Sequence, residues 1–134
     1  MEIQFRINEK LNARDVIDVF KSSGINRPVE DVKRIQTMLD NSNLIISAWN
    51  GSELIALARA VTDFTYCCYL SDIAVKKEHQ KFGIGRTLIE LTQEAIGEDT
   101  MLIFLSNMTA LEFHPKEGFE KVENGYIIKR KAKR

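Results

Sequence analysis

A short glycine-containing segment, residues 80–85, constrains this chain more than any other feature of its sequence. It lies between an apolar stretch typical of a strand, Cys67–Val75, and an amphipathic segment that predicts a helix over residues 85–96. Gly83 and Gly85 allow positive φ angles and a close approach of the backbone to a ligand. The amide groups and the dipole of a helix N-terminus favour an anion. The segment therefore predicts a site for a phosphate-bearing ligand.

Two familiar phosphate-binding patterns fit this segment poorly. A dinucleotide-binding fingerprint requires a third glycine where this chain has Leu88. A P-loop requires Gly-Lys-Ser/Thr, and the chain offers Gly85-Arg86-Thr87 without the upstream spacing. A glycine pair before a helix also occurs in turns that bind nothing. The class of ligand therefore has to come from the rest of the chain.

The order of the predicted elements defines the fold class. The first half of the chain predicts a strand over residues 2–7, a helix over 12–22 stopped by Gly24, a helix after Pro28, and strands over 44–49 and 53–61 joined by a turn at Asn50-Gly51. A strand over 67–75, a helix over 85–96 and a strand over 101–105 that is buried on both faces follow. The chain ends with a short helix over 109–113 and a hairpin of 119–122 with 126–129. This order predicts an α/β (α+β) fold. Its mixed central sheet is mostly antiparallel, with one parallel crossover and helices on both faces.

Length and charge limit the functional classes. The 134 residues suit one domain, 1–134, which needs neither metal nor disulfide to fold. The 19 basic and 19 acidic residues balance, which argues against nucleic-acid binding. No apolar run approaches the roughly 18 residues of a membrane span, so we expect no membrane contact. Residues 129–134 form a basic tail that we expect to be mobile.

The few cysteines and histidines argue against a metal centre. Cys67 and Cys68 are adjacent and would point to opposite faces of a strand, so they can neither bridge nor share an ion. The only histidines are His79 and His114, and no metal-binding spacing occurs. We expect no metal and, from this cysteine usage and the N-terminal sequence, a cytoplasmic protein.

Two motifs carry a family resemblance that covers nearly the whole chain. The stretch from Tyr69 to Val75, followed by Gln80-Lys81-Phe82-Gly83-Ile84-Gly85, matches Gln/Arg-x-x-Gly-x-Gly/Ala. Residues 110–119 are similar to Ala-x-x-Phe-Tyr-x-x-x-Gly-Phe. In their content, separation and order, these motifs resemble the GNAT superfamily of acetyl-CoA-dependent N-acetyltransferases.

The resemblance implies a role for each matching position. The backbone of Ile73, Ala74 and Val75 would pair with the pantetheine arm of acetyl-CoA. The amides of residues 81–85 would bind the pyrophosphate, and Asn107 would contact pantetheine or the substrate. The full set of implied cofactor-binding residues is Ile73, Ala74, Val75, Gln80, Lys81, Phe82, Gly83, Ile84, Gly85, Arg86, Thr87, Asn107 and Phe113. As alternatives, Lys81 and Arg86 are solvated charges, and Phe113 belongs to the core.

The catalytic group is the weakest part of the resemblance. Many relatives have a tyrosine general acid where this chain has His114, and Pro115 biases that histidine away from helical geometry. His114 is the candidate acid or base. The alternatives from the residues are Asp72, Glu53, Asp63 and Tyr66, or positioning without a base.

The implied function is transfer of an acetyl group to a primary amine of a small molecule. The alternatives are acetylation of a protein N-terminus or lysine, and a CoA-binding sensor without turnover. A homodimer is common in the resembled family and is a further expectation.

Overall fold

A computed structural model describes residues 2–105 and 118–131 of the chain. The strands are β1 (Ile3–Ile7), β2 (Leu44–Asn50), β3 (Glu53–Thr62), β4 (Cys67–Val75) and β5 (Met101–Phe104). The helices are α1 (Ala13–Ser23), α2 (Val32–Asp40) and α3 (Ile84–Ile96), and Lys77–His79 form a 3₁₀ turn.

The five strands form one mixed sheet in the order β1-β2-β3-β4-β5. The first four strands pair antiparallel, and β4 pairs parallel with β5 through a connection that contains α3. A parallel pair needs such a crossover because its strands start at the same end of the sheet. The predicted fold class, mostly antiparallel with one parallel crossover, is confirmed.

Local sequence signals set the ends of α1. The Asn12 side chain accepts a hydrogen bond from the Arg14 amide at 2.8 Å, and Gly24 ends the helix in a left-handed conformation with φ 84°. The second helix begins later than Pro28 suggests. It starts at Val32, because the Asp31 side chain caps it by accepting from the Arg34 amide at 3.1 Å.

Helices cover both faces of the sheet, as predicted. Two clusters of buried apolar residues result, one beneath α1 and α2 and the other beneath α3. The first cluster includes Val16, Phe20 and Leu57, and the second includes Leu88 and Ile46. No helix in the described ranges is both long and apolar enough to cross a membrane.

Each of the two long central strands contains one extra residue. The register between β2 and β3 shifts so that Ile55 has no Cα partner, since Trp49 faces Leu54 and Ala48 faces Ala56. The register between β3 and β4 shifts at Ser71 in the same way. Because strand side chains alternate, one extra residue moves every later side chain to the opposite face.

Three predictions about strands need correction. The hairpin between β2 and β3 turns at Gly51 and Ser52, one residue later than predicted. The strand β5 is not buried on both faces, because it is the last strand of the described sheet and α3 covers only one side. Met101 and Ile103 are therefore 55% and 41% exposed.

The predicted last hairpin is wrong, since the structure assigns no strand to residues 118–131. Apolar alternation stabilises a strand only where a neighbour accepts its hydrogen bonds and packs its apolar face. Here Tyr126 and Ile128 are 100% and 97% exposed. The predicted helix over residues 109–113 lies outside the described residues.

The cap of α1 yields a stability prediction. Asn12→Ala removes the acceptor for the Arg14 amide and should lower the free energy of unfolding by about 1 kcal/mol in urea denaturation. Asn12→Asp keeps an acceptor oxygen and should remain close to the parent. Equal stability of the two variants would contradict the assigned cap.

Candidate functional site

The glycine segment forms the turn from β4 into α3. Gly83 takes a left-handed conformation with φ 79° and directly precedes the first helical residue, Ile84. No side chain of the described residues caps this helix end, and the first hydrogen bond within the helix runs from the Thr87 amide to the Gly83 carbonyl at 3.0 Å. The amides of the first turn therefore point out of the helix toward a ligand position.

Two basic side chains lie on this turn without being buried. Lys81 is exposed and also has a positive φ of 73°. The Arg86 side chain is 55% exposed, and its Nε lies 3.9 Å from the Glu90 carboxylate, one helical turn along. Lys81 is thus open to solvent and Arg86 is engaged on its own helix, whereas the backbone amides are held in place by the helix.

The strand β4 has an open backbone edge beside this turn. Its pairing with β5 ends where Leu70 faces Phe104, whereas its pairing with β3 continues to Val75. Residues 71–75 thus have no strand neighbour on the side away from β3 among the described residues. The Gln80 side chain donates to the Val75 carbonyl at 2.9 Å and ties the glycine turn to the end of this edge.

A buried charged cluster lies next to the open edge. The Asp72 side chain is completely buried, and its two oxygens accept hydrogen bonds from the Nε groups of Arg27 (2.5 Å) and Arg59. Arg27 comes from the loop between α1 and α2, and Arg59 from the middle of β3. Sequence reasoning missed both arginines. The available signal was Arg59 itself, a charged residue inside the apolar run of β3.

The side-chain bases considered from the sequence are engaged elsewhere or exposed. Asp72 is enclosed by two guanidinium groups and has no direct contact with an amine arriving from solvent. The Glu53 carboxylate is paired with the Lys76 ammonium at 3.0 Å. Tyr66 is 73% exposed in the loop before β4.

Asp63 is held as a carboxylate by the turn between β3 and β4. Its Oδ1 accepts hydrogen bonds from the amides of Tyr66 (2.7 Å), Thr65 (2.9 Å) and Cys67 (3.1 Å). These bonds lower the pKa of Asp63 from 3.8 to about 2. Asp63 is therefore a turn-forming residue and a poor proton acceptor at neutral pH.

One group of potential metal ligands lies near the glycine turn. Ligand atoms of Glu53, Glu78 and His79 lie within 4.8 Å of one another, and the buried His79 Nδ1 has no hydrogen-bond partner. The Lys76 ammonium on Glu53 already supplies a positive charge there. Neither carboxylate is buried, so the group is not a preformed cation cage. The prediction that the protein binds no metal stays a prediction.

Three predicted site residues, Asn107, Phe113 and His114, lie outside the described residues. The structure resumes at Gly118, and the Phe119 ring lies 5.9 Å from the Phe104 ring at the end of β5. The structure thus brings together the predicted positions on β4, the glycine turn and the start of α3.

Comparison with known proteins identifies the family. Residues 13–119 match the model of the acetyltransferase (GNAT) family. The chain belongs to this family, whose members use acetyl-CoA. A curated relative from Pyropia yezoensis, the uncharacterized N-acetyltransferase ycf52, is 25% identical over 131 residues, which are 92% of this chain and 74% of the relative.

Solved structures share the fold. The GNAT family protein SP0256 from Streptococcus pneumoniae superposes with a TM-score of 0.81 at 21% identity, covering 98% of this chain and 100% of that one. The aminoglycoside N-acetyltransferase AAC(6')-Iy in complex with CoA superposes with a TM-score of 0.72 at 16% identity, covering 98% and 96%. Both resemblances extend over nearly the whole chain.

The Asp63 turn yields a prediction about pH. Because the folded-state pKa is depressed, the stabilising contribution of Asp63 is present above about pH 3.8 and is lost as the pH falls through about 2. Asp63→Ala should destabilise the protein at pH 7, and this difference should shrink as the pH approaches 2. Asp63→Asn keeps an acceptor oxygen without a charge and should remove the pH dependence. A carboxyl pKa near 3.8 in an NMR titration would contradict the hydrogen bonds assigned here.

Proposed function

We propose that this protein is an acetyl-CoA-dependent N-acetyltransferase that acetylates a primary amine of a small molecule. One observation carries the proposal: the N-terminus of α3, which follows Gly83, lies directly beside the open backbone edge of β4 at residues 71–75. The first feature suits a pyrophosphate, and the second suits an extended chain that carries amide groups. Coenzyme A contains both in one molecule.

The coenzyme would lie across these two features. Its pyrophosphate would bind the amides at residues 81–85, with Arg86 and Thr87 at the rim. Its pantetheine arm would pair with the backbone of Ile73 and Ala74 along the open edge of β4. The Val75 carbonyl is already bonded to Gln80, so we expect that position to contribute through its amide. Asn107 stays a proposed contact to pantetheine or the substrate, and Phe113 stays a proposed residue of the coenzyme side of the cleft.

The reaction needs a neutral amine and a stabilised oxyanion. The amine nitrogen attacks the thioester carbonyl carbon, the carbon–sulfur bond breaks, and the proton lost by the amine ends on the CoA thiol. The pKa of a free alkylamine is about 10.4, so a base or a desolvating cleft must remove its proton. A backbone amide at the open edge, of Val75 or its neighbour, would hold the oxyanion. Among the described residues this mechanism rests on backbone groups.

Structural neighbours that share this fold favour a small-molecule acceptor. Three of the structural neighbours are described as aminoglycoside acetyltransferases, with TM-scores of 0.72, 0.70 and 0.69. A protein N-terminus or lysine is the alternative acceptor. A cytoplasmic location, a homodimer and a mobile basic tail remain predictions.

One observation keeps a second candidate function, a CoA-binding sensor without turnover. This chain has His114 where many relatives have a tyrosine acid, and no candidate base among the described residues faces the open edge unpaired. A pure sensor would bind CoA and release no thiol. Incubation of acetyl-CoA with a panel of small amines, with thiol release as the readout, separates the two functions. We expect release to depend on the amine.

The glycine turn yields a binding prediction with a matched control. Gly83→Val places a branched side chain at φ 79° and should weaken CoA binding at least about tenfold in calorimetric titration, because the turn must shift. Gly24→Val imposes the same left-handed strain, at φ 84° and ψ 5°, on the C-terminal end of α1. Neither site has an atom within 4 Å of the added Cβ, so both variants test the backbone alone. Equal CoA affinity in the two variants would contradict the pyrophosphate site.

The proposed role of His114 yields a kinetic prediction. His114→Phe should lower turnover by roughly three- to thirtyfold, less than the roughly 10²–10⁴ of a fully engaged acid or base, since a following proline disfavours helical geometry at the histidine. His114→Tyr should preserve or improve activity. A loss above about a thousandfold in the Phe variant, with CoA affinity intact, would make His114 the principal catalytic group.

A further inference from the structure

Two irregularities of the sheet meet at Ser71. It is the extra residue of β4 relative to β3, since Arg59 faces Asp72 and Ala60 faces Leu70. It is also the first residue of β4 beyond the pairing with β5. The ladder on either side thus gives Ser71 no Cα partner, and its peptide needs other groups to fix its orientation.

Two arginines supply those groups. Arg27 donates from Nη2 to the Ser71 carbonyl at 2.7 Å, and Arg59 donates from Nη2 to the Ser71 hydroxyl at 2.9 Å. The same guanidinium groups bond Asp72 through their Nε atoms. Each arginine therefore holds two consecutive residues of β4 with one planar, rigid group.

Arg27 and Arg59 differ in how deeply they are built into the fold. The Arg59 side chain is 10% exposed and comes from a central strand, whereas the Arg27 side chain is 25% exposed and comes from a loop. Arg27 also donates to the carbonyl of Asn26 in its own loop at 2.6 Å. Removal of Arg27 leaves Asp72 paired with Arg59, so the buried carboxylate keeps a positive partner.

We propose that Arg27 is a positioning residue for acyl transfer. This inference rests on the proposed function, in which the thioester lies at the opening between β4 and β5. By fixing the Ser71–Asp72 peptide, Arg27 sets the course of the β4 backbone just ahead of the residues that would bind pantetheine and the oxyanion. The pyrophosphate amides at the start of α3 belong to a separate element. Arg27 therefore acts on turnover and leaves coenzyme affinity largely unchanged.

A guanidinium group is required for this role. Arg27 must reach an Asp72 oxygen and the Ser71 carbonyl at the same time, which the fork of an arginine does with two parallel donors. A lysine ammonium is a single point charge on a flexible stem and would satisfy one of the two positions. A comparison of arginine with lysine at position 27 therefore distinguishes the effect of side-chain shape from the effect of its charge.

The test compares variants of Arg27 in the full-length protein. Arg27→Ala should lower kcat by about 10- to 100-fold, the scale expected when reacting groups are slightly misplaced. CoA affinity, measured by calorimetry, should fall much less, by no more than about fivefold, because the pyrophosphate amides at the start of α3 are untouched. Added guanidinium ion at non-denaturing concentration should restore part of the kcat that Arg27→Ala loses. Arg27→Lys should have a lower kcat than the parent. As a control, Arg14→Ala removes an exposed arginine of α1 whose side chain bonds to no other described residue, and it should match the parent.

Two kinetic outcomes would overturn the proposal. An unchanged kcat would show that the Ser71 peptide needs no support from Arg27. A loss of kcat that parallels a loss of CoA affinity, with no guanidinium rescue, would make the role merely structural. If Arg27→Ala does not fold, Arg27→Gln carries the same comparison with one donor retained.

A second readout does not depend on turnover and so separates this proposal from the proposed function. In hydrogen exchange, the amides of residues 71–73 should exchange at least about tenfold faster in Arg27→Ala, while those of the β2–β3 pair keep their protection. Absence of thiol release by the parent with every amine would refute the acetyltransferase assignment. The exchange result would then still decide whether Arg27 holds the bulge, since unchanged protection at 71–73 overturns it.

Discussion

The end of the pairing between β4 and β5 is the constraint on which the rest of the site depends. Pairing stops where Leu70 faces Phe104, and among the described residues the next five residues of β4 have only β3 as a neighbour. A continuous ladder would consume the backbone groups that a coenzyme arm needs. The mismatch in length is large, because β5 has four residues and β4 has nine. The proposed coenzyme site thus depends on a difference in strand length.

The bulge at Ser71 makes that opening compatible with a two-sided core. Before it, Cys68 and Leu70 pack into the cluster beneath α3, and after it Ala74 packs beneath α1 and α2. Without the bulge, a regular strand through Ser71 would place Asp72 on the face of Leu70, in an apolar core with no partner, at a high cost in free energy. With it, Asp72 faces the α1–α2 loop, where two arginines meet it.

The bulge therefore brings the charged cluster together, and the cluster in turn stabilises the bulge. Burial of a carboxylate between two guanidinium groups is favourable only when nearly every polar atom finds a partner. Here Ser42 and Ser71 accept two of the remaining Arg59 donors. The cluster links the α1–α2 loop, β3 and β4, so the side of the cleft where an acceptor would enter is joined to the strand that would hold the coenzyme.

Sequence patterns predicted those parts of the molecule that depend on local chemistry. The cap at Asn12, the stop at Gly24 and the glycine turn into α3 each use one residue type for one backbone geometry. The fold class followed from element order. The cluster could not be predicted, because Arg27 and Asp72 are 45 residues apart and meet only through the bulge. The burial of β5 and the last hairpin were predicted wrongly, since apolar character does not reveal which strand ends a sheet.

The same contrast explains why the coenzyme is easier to infer than the acceptor. The proposed coenzyme contacts are backbone amides and carbonyls, whose positions are fixed by the fold and survive replacement of most side chains. A TM-score of 0.81 at only 21% identity shows that the fold persists while most side chains differ. Acceptor contacts would depend on side chains, which can differ without altering the sheet. Arg27 lies in the α1–α2 loop, and its guanidinium group ends on the backbone of β4. Under the proposed function, it therefore connects that loop to the strand that would hold the thioester.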